Sequence, residues 1–455
     1  MSDSAEEREY ARAAALVAQE LEERLGEGAP QPRLEPTRRV VELLGDVHRS
    51  YPVIQIAGTN GKTSTSRLIE SILRAYGLRT GLFTSPHLIA FTERIQIDGA
   101  PIENGKLIEN WLDIKPYVEM VDKELMAKGE PRLTYFEVLT ILAFASFADA
   151  PVDVAVVEVG LGGEWDSTNV ADAVVAVFTP IELDHTDRLG STIDAIARTK
   201  SGIIKPSAIV VTAEQTADAQ SVLEQAVELT ESSLVVVGRD VTVDSTIAVG
   251  GQMLTIKGTA GEYADLFLGL YGQHQAQNAA LAIAAVESFL GGSRISLDPE
   301  VLSEAFASVE SPGRLQLIAK NPSVLVDAAH NPHGAKALAQ ALESFFTFDE
   351  VVLVFSALAD KDAAGILREI APHVTSLIVT TVGSARAASV DALAEIAGSF
   401  VGASNVEVIP DSAVAVAAAR ARVADSERGA VLVAGSVVLV GEVMAEAIHT
   451  KGWTV

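Results

Sequence analysis

From Val53 onward the apolar and polar positions repeat one order: strand, loop, helix. Val53 to Ala57 is a short apolar run, and Gly58 to Lys62 is a polar loop. Leu68, Ile69, Ile72, Leu73 and Tyr76 then recur at helical spacing, with Gly77 placed to stop the helix. Continuous Val/Ala runs at Val152 to Val159 and Ala173 to Thr179 predict strands covered on both faces. Between residues 232 and 270, Val, Thr and Gly alternate, which predicts a small antiparallel patch, and helical spacing returns over Ala276 to Leu290. Ser311-Pro312-Gly313 breaks the pattern. After it, strands are predicted at Val324 to Val326, Val351 to Phe355, Ser376 to Thr380, Val406 to Ile409 and Ala430 to Ala434, with helices such as Gly334 to Phe345 and Ala413 to Val423 between them. The pattern is that of an α/β protein with a second α/β unit after residue 310. Upstream, Leu16, Leu21 and Leu25 give a thin apolar stripe. The expectation is one amphipathic helix ending at Gly26, Gly28 and Pro30, then a link through Pro32 and Pro36, forming a solvated appendage without a catalytic role.

Charge narrows the partners. The 455 residues carry 34 Lys+Arg against 61 Asp+Glu, a formal net charge of -27. Such a surface repels nucleic acid and anionic lipid, so any anion site must be built locally. With no cysteine, disulfides, thiolate-ligated metals and thiol catalysis are excluded. The longest nearly unbroken apolar run, Val138 to Ala148, is about half of the ~20 residues that span a bilayer. The start, Met-Ser-Asp-Ser-Ala-Glu-Glu, has neither a basic region nor an apolar core, so a cytoplasmic protein is expected.

The candidate chemistry sits at strand ends. Gly58-Thr59-Asn60-Gly61-Lys62-Thr63-Ser64 follows a strand and opens a helix, the context of a phosphate-binding loop. Glycines let backbone N–H groups approach phosphate oxygens, Lys62 can reach the β/γ-phosphates, and a following hydroxyl can face Mg²⁺. The spacing is one of a shortened loop, because Ile56 stands where the first glycine of the standard pattern would fall. Glu158 ends an apolar strand; it either holds Mg²⁺ or is a strand-end acid in solvent. His185 lies past the next strand, and since Mg²⁺ prefers oxygen, the residues alone favour a hydrogen-bonded histidine. Asn278 either reads an adenine edge or caps a helix. Arg314 can reach back from the boundary to a nucleotide, while Asp327 and His330-Asn331-Pro332 occupy switch-point positions of the second unit.

Together these residues resemble the folylpolyglutamate synthase/dihydrofolate synthase branch of the Mur ligases. The resemblance rests on the Gly58 to Ser64 loop, Thr84-Ser85-Pro86-His87-Leu88, Phe136-Glu137, Glu158 to Gly163, Asp184-His185, Lys200-Ser201-Gly202-Ile203, Gly272 to Asn278, Ser311 to Arg314 and Asp327 to Pro332. It implies a P-loop ATPase domain over residues 35–310, a Rossmann-like glutamate-ligase domain over 311–455, and a helix and linker over 1–34. It implies an ATP-dependent ligase that joins L-glutamate to dihydropteroate or a reduced folate through an acyl phosphate. Lys62, His185 and Lys200 then take catalytic roles, and Gly58 to Ser64, Asn278, Arg314 and Asp327 hold ATP. Ser85, Glu158 and His185 ligate Mg²⁺, which reverses the residue-based reading of His185. Lys200, as a carbamate, helps place a second Mg²⁺. Phe136 and Glu137 face the pterin, and His330 and Ser436 face the incoming glutamate. K⁺ is admitted as a further ion, and a monomer is expected.

Three segments depart from the family. Gly163 is followed by Glu164-Trp165-Asp166 where the family has arginine, and Arg188 is the candidate to replace that charge. Thr199 stands where glutamate often precedes the lysine, and Thr37-Arg38-Arg39-Val40 replaces a segment associated with dihydropteroate. Two other readings are another Mur-type ligase, acting on cell-wall precursors (disfavoured because only 57 residues lead up to the loop) or on a polymer, and a P-loop NTPase switch or motor, disfavoured by the charge and by the lack of an Asn-Lys-x-Asp motif.

Overall fold

The computed structural model describes residues 3–449 and Trp453. An eight-stranded sheet is built from β1 (Val53–Ala57), β2 (Thr80–Phe83), β3 (Ile95–Ile97), β4 (Ala100–Pro101), β5 (Val154–Glu158), β6 (Val175–Phe178), β7 (Ile209–Thr212) and β8 (Ser233–Val236). Its order is β4-β3-β2-β5-β1-β6-β7-β8, parallel from β2 to β8, with β3 and β4 as an antiparallel edge. The apolar runs of β1, β5 and β6 are continuous because both faces are covered. Ile54, Ile56, Val154 and Val156 pack with the helices Lys62–Ala75 and Gln273–Gly291. Val53, Ala155 and Val157, pointing the other way, pack with the helices Asn104–Ala127 and Tyr135–Asp149. The latter holds the longest apolar run and is buried nearly all round, as a helix without a polar face must be. Among the described residues no helix is long and apolar enough to cross a membrane.

The antiparallel patch expected over residues 232–270 forms as β9 (Thr242–Ala248), β10 (Gly251–Lys257) and β11 (Glu262–Leu268). Its first part is different: Ser233–Val236 joins the parallel sheet beside β7 instead. Residues after 311 form a second sheet, with β12 (Gln316–Lys320), β13 (Ser323–Asp327), β14 (Glu350–Phe355), β15 (Ser376–Val379), β16 (Val406–Val408) and β17 (Gly429–Ala434). The order is β12-β13-β17-β14-β15-β16, and only β12 runs antiparallel.

The N-terminal helix Asp3–Glu22 is not a solvated appendage. Ala14, Val17 and Leu21 are buried against the cluster that holds Trp111 and Leu107, whereas Leu16 and Leu25 are 60% and 42% exposed. The buried stripe is therefore offset from the one the leucine spacing suggests. Arg24 closes the contact with a buried 2.9 Å ion pair to Asp122 and a hydrogen bond to the Leu133 carbonyl.

Candidate active site

Both sheets present the carboxyl ends of their strands to one cleft of about 1470 Å³. On the first sheet the central strands are β5, β1 and β6, where the strand order reverses; on the second they are β13, β17 and β14. Loops at such switch points diverge and leave a crevice for ligands. Every residue that the sequence reading assigned a site role lines this cleft, from Gly58 through Ser436.

The phosphate-type loop forms for steric reasons. Gly58 has φ +145°, and a Cβ on it would lie 1.9 Å from Thr179 Oγ1; Gly61 has φ +87°, and its Cβ would meet Asn278 Oδ1 at 2.8 Å. Only glycine fits either place. The helix Lys62–Ala75 starts directly after, so its first N–H groups face the cleft. Lys62 Nζ donates to the carbonyls of Gly58 and Thr59 (3.3 and 3.1 Å), and Lys200 Nζ donates to the same Gly58 carbonyl at 2.8 Å. Two ammonium groups thus converge beside the loop. The Ser64 hydroxyl is turned away, 2.8 Å from Ser311 Oγ, which ties the loop helix to the boundary segment. Asn278 lies inside its helix, whose N-cap is Gly272, so the capping alternative falls; its side chain donates to Gln275.

Glu158 is buried, and its two oxygens accept from Thr63 Oγ1 at 3.1 and 3.0 Å. Burial raises this carboxyl, while Lys62, Thr63, Arg314 and the Ser85 N–H oppose the rise. His185 lines the same cleft with φ 50°, and burial lowers its imidazole to about 4 against the pull of Asp184. A neutral imidazole, one carboxylate and the hydroxyls of Thr63 and Ser85 form an open donor set. Such a set suits a Mg²⁺ ion that takes its remaining oxygens from phosphate and water. Among the described residues no group of three His, Cys, Asp or Glu side chains could enclose a metal by itself.

The second unit supplies the opposite wall. Asp327 accepts from the backbone of Leu315 (2.7 Å) and Ala329 (2.8 Å), which shapes the turn that carries Arg314. Burial raises its carboxyl, against the pull of Arg314. His330 Nδ1 lies 2.9 Å from the Ala328 carbonyl, so Nδ1 carries the proton and Nε2 is bare; burial lowers this imidazole to about 4. Ser436 follows β17, and its Oγ accepts from the Val438 N–H at the start of the last helix.

Polar residues bridge the units, and of these Lys361, Asn331 and Asp184 had no assigned role in the sequence reading, whereas Asn60 belongs to the ATP loop. Lys361 Nζ pairs with Asp184 Oδ1 at 3.2 Å, and Asn331 Nδ2 donates to Asp184 Oδ2 at 3.1 Å. Asn60 and Asn331 exchange two hydrogen bonds of 3.2 and 3.1 Å. Burial alone would raise Asp184, but His185, Lys361 and His330 hold it well below the usual carboxylate range. Lys361 lies in the loop after β14 (Glu350–Phe355), and its place beyond the carboxyl end of a central strand is the signal that could have found it.

The geometry corrects some expectations. Both Glu137 oxygens accept hydrogen bonds within the chain, from the Thr134 N–H in a helix capping box and from Arg33 at 2.9 Å, so this carboxylate lines the cleft with part of its acceptor capacity already used. Phe136 faces the cleft; its ring lies against Gly160, where a Cβ would be 2.4 Å away, and 5.8 Å from the Phe83 ring. Glu164 is exposed and does not line the cleft, so the reversed charge is not beside the phosphate-type loop. Arg188 lines it, but its guanidinium donates to the Gly28 carbonyl and to Asp187. Arg188→Ala should therefore change the KM for ATP by less than about threefold, as steady-state kinetics would show; a tenfold rise would restore the compensating role. Thr37 to Val40 lie on the helix Glu35–Leu43, with Arg38 and Arg39 paired to Glu35 and Glu124 away from the cleft. The N-terminal residues that do reach it are Glu27, Gly28, Pro30 and Gln31.

Comparison with known proteins gives this geometry a family. Residues 56–286 match the Mur ligase middle domain and residues 313–437 the Mur ligase glutamate ligase domain. The dihydrofolate synthase/folylpolyglutamate synthase of Mycobacterium tuberculosis is 43% identical over 454 residues, covering 93% of this chain and 92% of its own. Crystal structures of the Mycobacterium tuberculosis folylpolyglutamate synthase complexed with ADP and AMPPCP superpose with a TM-score of 0.91 at 42% identity, over 96% of this chain and 99% of theirs. E. coli FolC in complex with DHPP and ADP superposes with a TM-score of 0.79 at 32% identity, over 92% and 93%. The chain belongs to the folylpolyglutamate synthase/dihydrofolate synthase family of Mur ligases.

Proposed function

We propose that this protein is an ATP- and Mg²⁺-dependent ligase that adds L-glutamate to dihydropteroate and to the γ-carboxyl of reduced folates. One observation carries the reading: a single cleft joins the phosphate-type loop to the aromatic end at Phe136 and to the His330 and Ser436 wall of the second unit. A carboxylate cannot lose oxide to an amine. Its oxygen therefore first attacks the γ-phosphorus, ADP leaves, and an acyl phosphate forms. The glutamate amine then attacks the acyl carbon, phosphate departs with the C–O bond electrons, and the amine loses a proton. Lys62 and Arg314 neutralise the oxygens gathered in the first step. His330, bare at Nε2, is suited to take the proton lost in the second. Glu158, Ser85 and His185 would hold Mg²⁺, which would supply further charge neutralisation. Lys200, buried with its amine lowered to about 7, is suited to carbamylation, which needs the neutral amine.

The test is ATP-dependent incorporation of labelled L-glutamate, with Mg²⁺, into dihydropteroate and separately into tetrahydrofolate. Incorporation into both is expected. Incorporation into tetrahydrofolate alone would remove the dihydrofolate synthase half, and incorporation into neither would overturn the folate reading.

A further inference from the structure

Near Phe136, three side chains from distant parts of the sequence form a hydrogen-bonded line. Glu27 lies in the link after the N-terminal helix, His87 in the Ser85-Pro86-His87 loop, and Arg94 in the turn before β3. Arg94 is 4% exposed. It donates to Glu27 Oε1 at 2.6 Å and, through Nε–H, to His87 Nδ1 at 2.8 Å. A guanidinium has donors and no acceptor, so His87 Nδ1 must be the bare nitrogen and the ring proton must sit on Nε2. The Tyr135 ring lies 5.3 Å from the guanidinium and fixes its plane. Glu93 accepts from the N–H groups of Leu88, Ile89 and Ala90 at 2.6–2.9 Å, which immobilises the chain after His87.

Glu27 reaches this place because the link is held as a strap across the cleft. Arg94 holds Glu27, Arg188 holds the Gly28 carbonyl, and Gly28 packs on Arg386 of the second unit, where a Cβ would lie 3.5 Å from its Cδ. His87 itself lines the cleft, as does Phe136; Phe91 packs 6.5 Å from the His87 ring and 6.3 Å from Tyr135, off the cleft lining. A neutral N–H donor in a cleft that Phe136 also lines suits an acceptor nitrogen or carbonyl on a flat heteroaromatic ligand. It adds no charge, so it does not compete with the cations of the phosphate-type loop for the substrate carboxylate.

Resting on the ligase reading above, we infer that His87 donates a hydrogen bond from Nε2–H to the pterin-bearing substrate, and that Arg94 and Glu27, delivered by the strap, fix the proton and the ring in that orientation. His87 is then a binding residue and Glu27 a positioning residue.

The test is the set of KM values for the pterin substrate, ATP and glutamate in purified full-length variants. His87→Ala should raise the KM for dihydropteroate or tetrahydrofolate about tenfold, the cost of one unmade hydrogen bond. The KM values for ATP and glutamate should move by less than about twofold. His87→Gln, whose amide N–H can stand in for Nε2–H, should recover most of the loss. Glu27→Gln should raise the same KM by roughly threefold with kcat little changed, and Glu27→Asp should lie closer to wild type. Retained binding of a non-hydrolysable ATP analogue reports that each variant is folded, and if the alanine variant does not fold, the pair His87→Gln and His87→Leu carries the comparison. A pterin KM unmoved in His87→Ala, or equal losses in all three KM values, would overturn the assignment. A wild-type enzyme that uses neither pterin substrate would overturn the ligase reading instead.

Discussion

Lys200→Ala should lower kcat by about two to three orders of magnitude, the range seen when a charged group that stabilises a transition state is removed. The side chain is buried on the helix Ile193–Ser201 and donates to the Gly58 carbonyl at 2.8 Å, so it sits directly behind the phosphate-type loop. Burial first, and Lys62 second, lower its amine from 10.5 to about 7. The sign of the pH dependence follows. Below about 7 the ammonium form dominates and cannot react with CO₂; above it the neutral amine can, so the carbamate population should rise with pH through that value. On enzyme equilibrated with ¹³CO₂, a carbamate ¹³C resonance should grow across this range and be missing in Lys200→Ala. Lys200→Arg separates the anion from a simple cation. If the carbamate acts, arginine should be as damaging as alanine. An active arginine variant would show that positive charge alone is needed, and an alanine variant equal to wild type would remove Lys200 from the mechanism.

How much of this was legible in the sequence depends on how far apart the cooperating residues lie. Gly58, Gly61 and Lys62 are readable because a strand, a tight loop and a helix fix their geometry within a few residues. Glu158 and Asp327 are readable because they end buried strands, and a parallel sheet gathers its strand ends on one edge, whereas Ser436, just past β17, came only with the family resemblance. The same rule, applied to β14, points to Lys361. Glu27, Arg94 and His87 are different. Glu27 and Arg94 are 67 positions apart, and no periodicity couples them. The link at residues 27–31 looks like a tail because it is polar and carries glycine and proline, yet those features also let it cross the cleft as a strap. The N-terminal helix misleads in a related way. The leucines at 16 and 25 stand out in the sequence but are exposed, and Ala14, Val17 and Leu21 are the residues that pack. The Ser233–Val236 strand was absorbed into the antiparallel patch by its Val-rich texture, although its register with β7 makes it an edge of the parallel sheet. Glu137 shows what a motif does not reveal: a capping box and Arg33 already take part of its acceptor capacity.

Lys361→Ala should reduce kcat by about 100-fold and should also uncouple ATP consumption from ligation. Lys361 and Asp184 belong to different units, their side chains are 10% and 14% exposed, and their 3.2 Å contact sits beside the Asn60–Asn331 pair. Removing one partner of a largely buried pair leaves the other charge uncompensated, at a cost of roughly 3 kcal/mol. Among the described residues, the other cation at salt-bridge distance from Asp184 is His185, at 3.9 Å, and burial disfavours the charged form of that ring. The cost falls on the closed arrangement of the two units, because opening returns Asp184 to water. About 2.7 kcal/mol taken from the closed form corresponds to two decades in rate. An acyl phosphate formed in a cleft that closes less often is exposed to water, so the ratio of ADP released to glutamate joined should rise above one. Lys361→Arg, which keeps the charge, should restore both kcat and coupling in large part. A Lys361→Ala enzyme with low kcat but tight coupling would place the lysine in the chemistry of ligation itself, acting on the intermediate rather than on closure. Wild-type kcat in that variant would show that the Asn60–Asn331 pair and Asp184–Asn331 bond hold the units together without it.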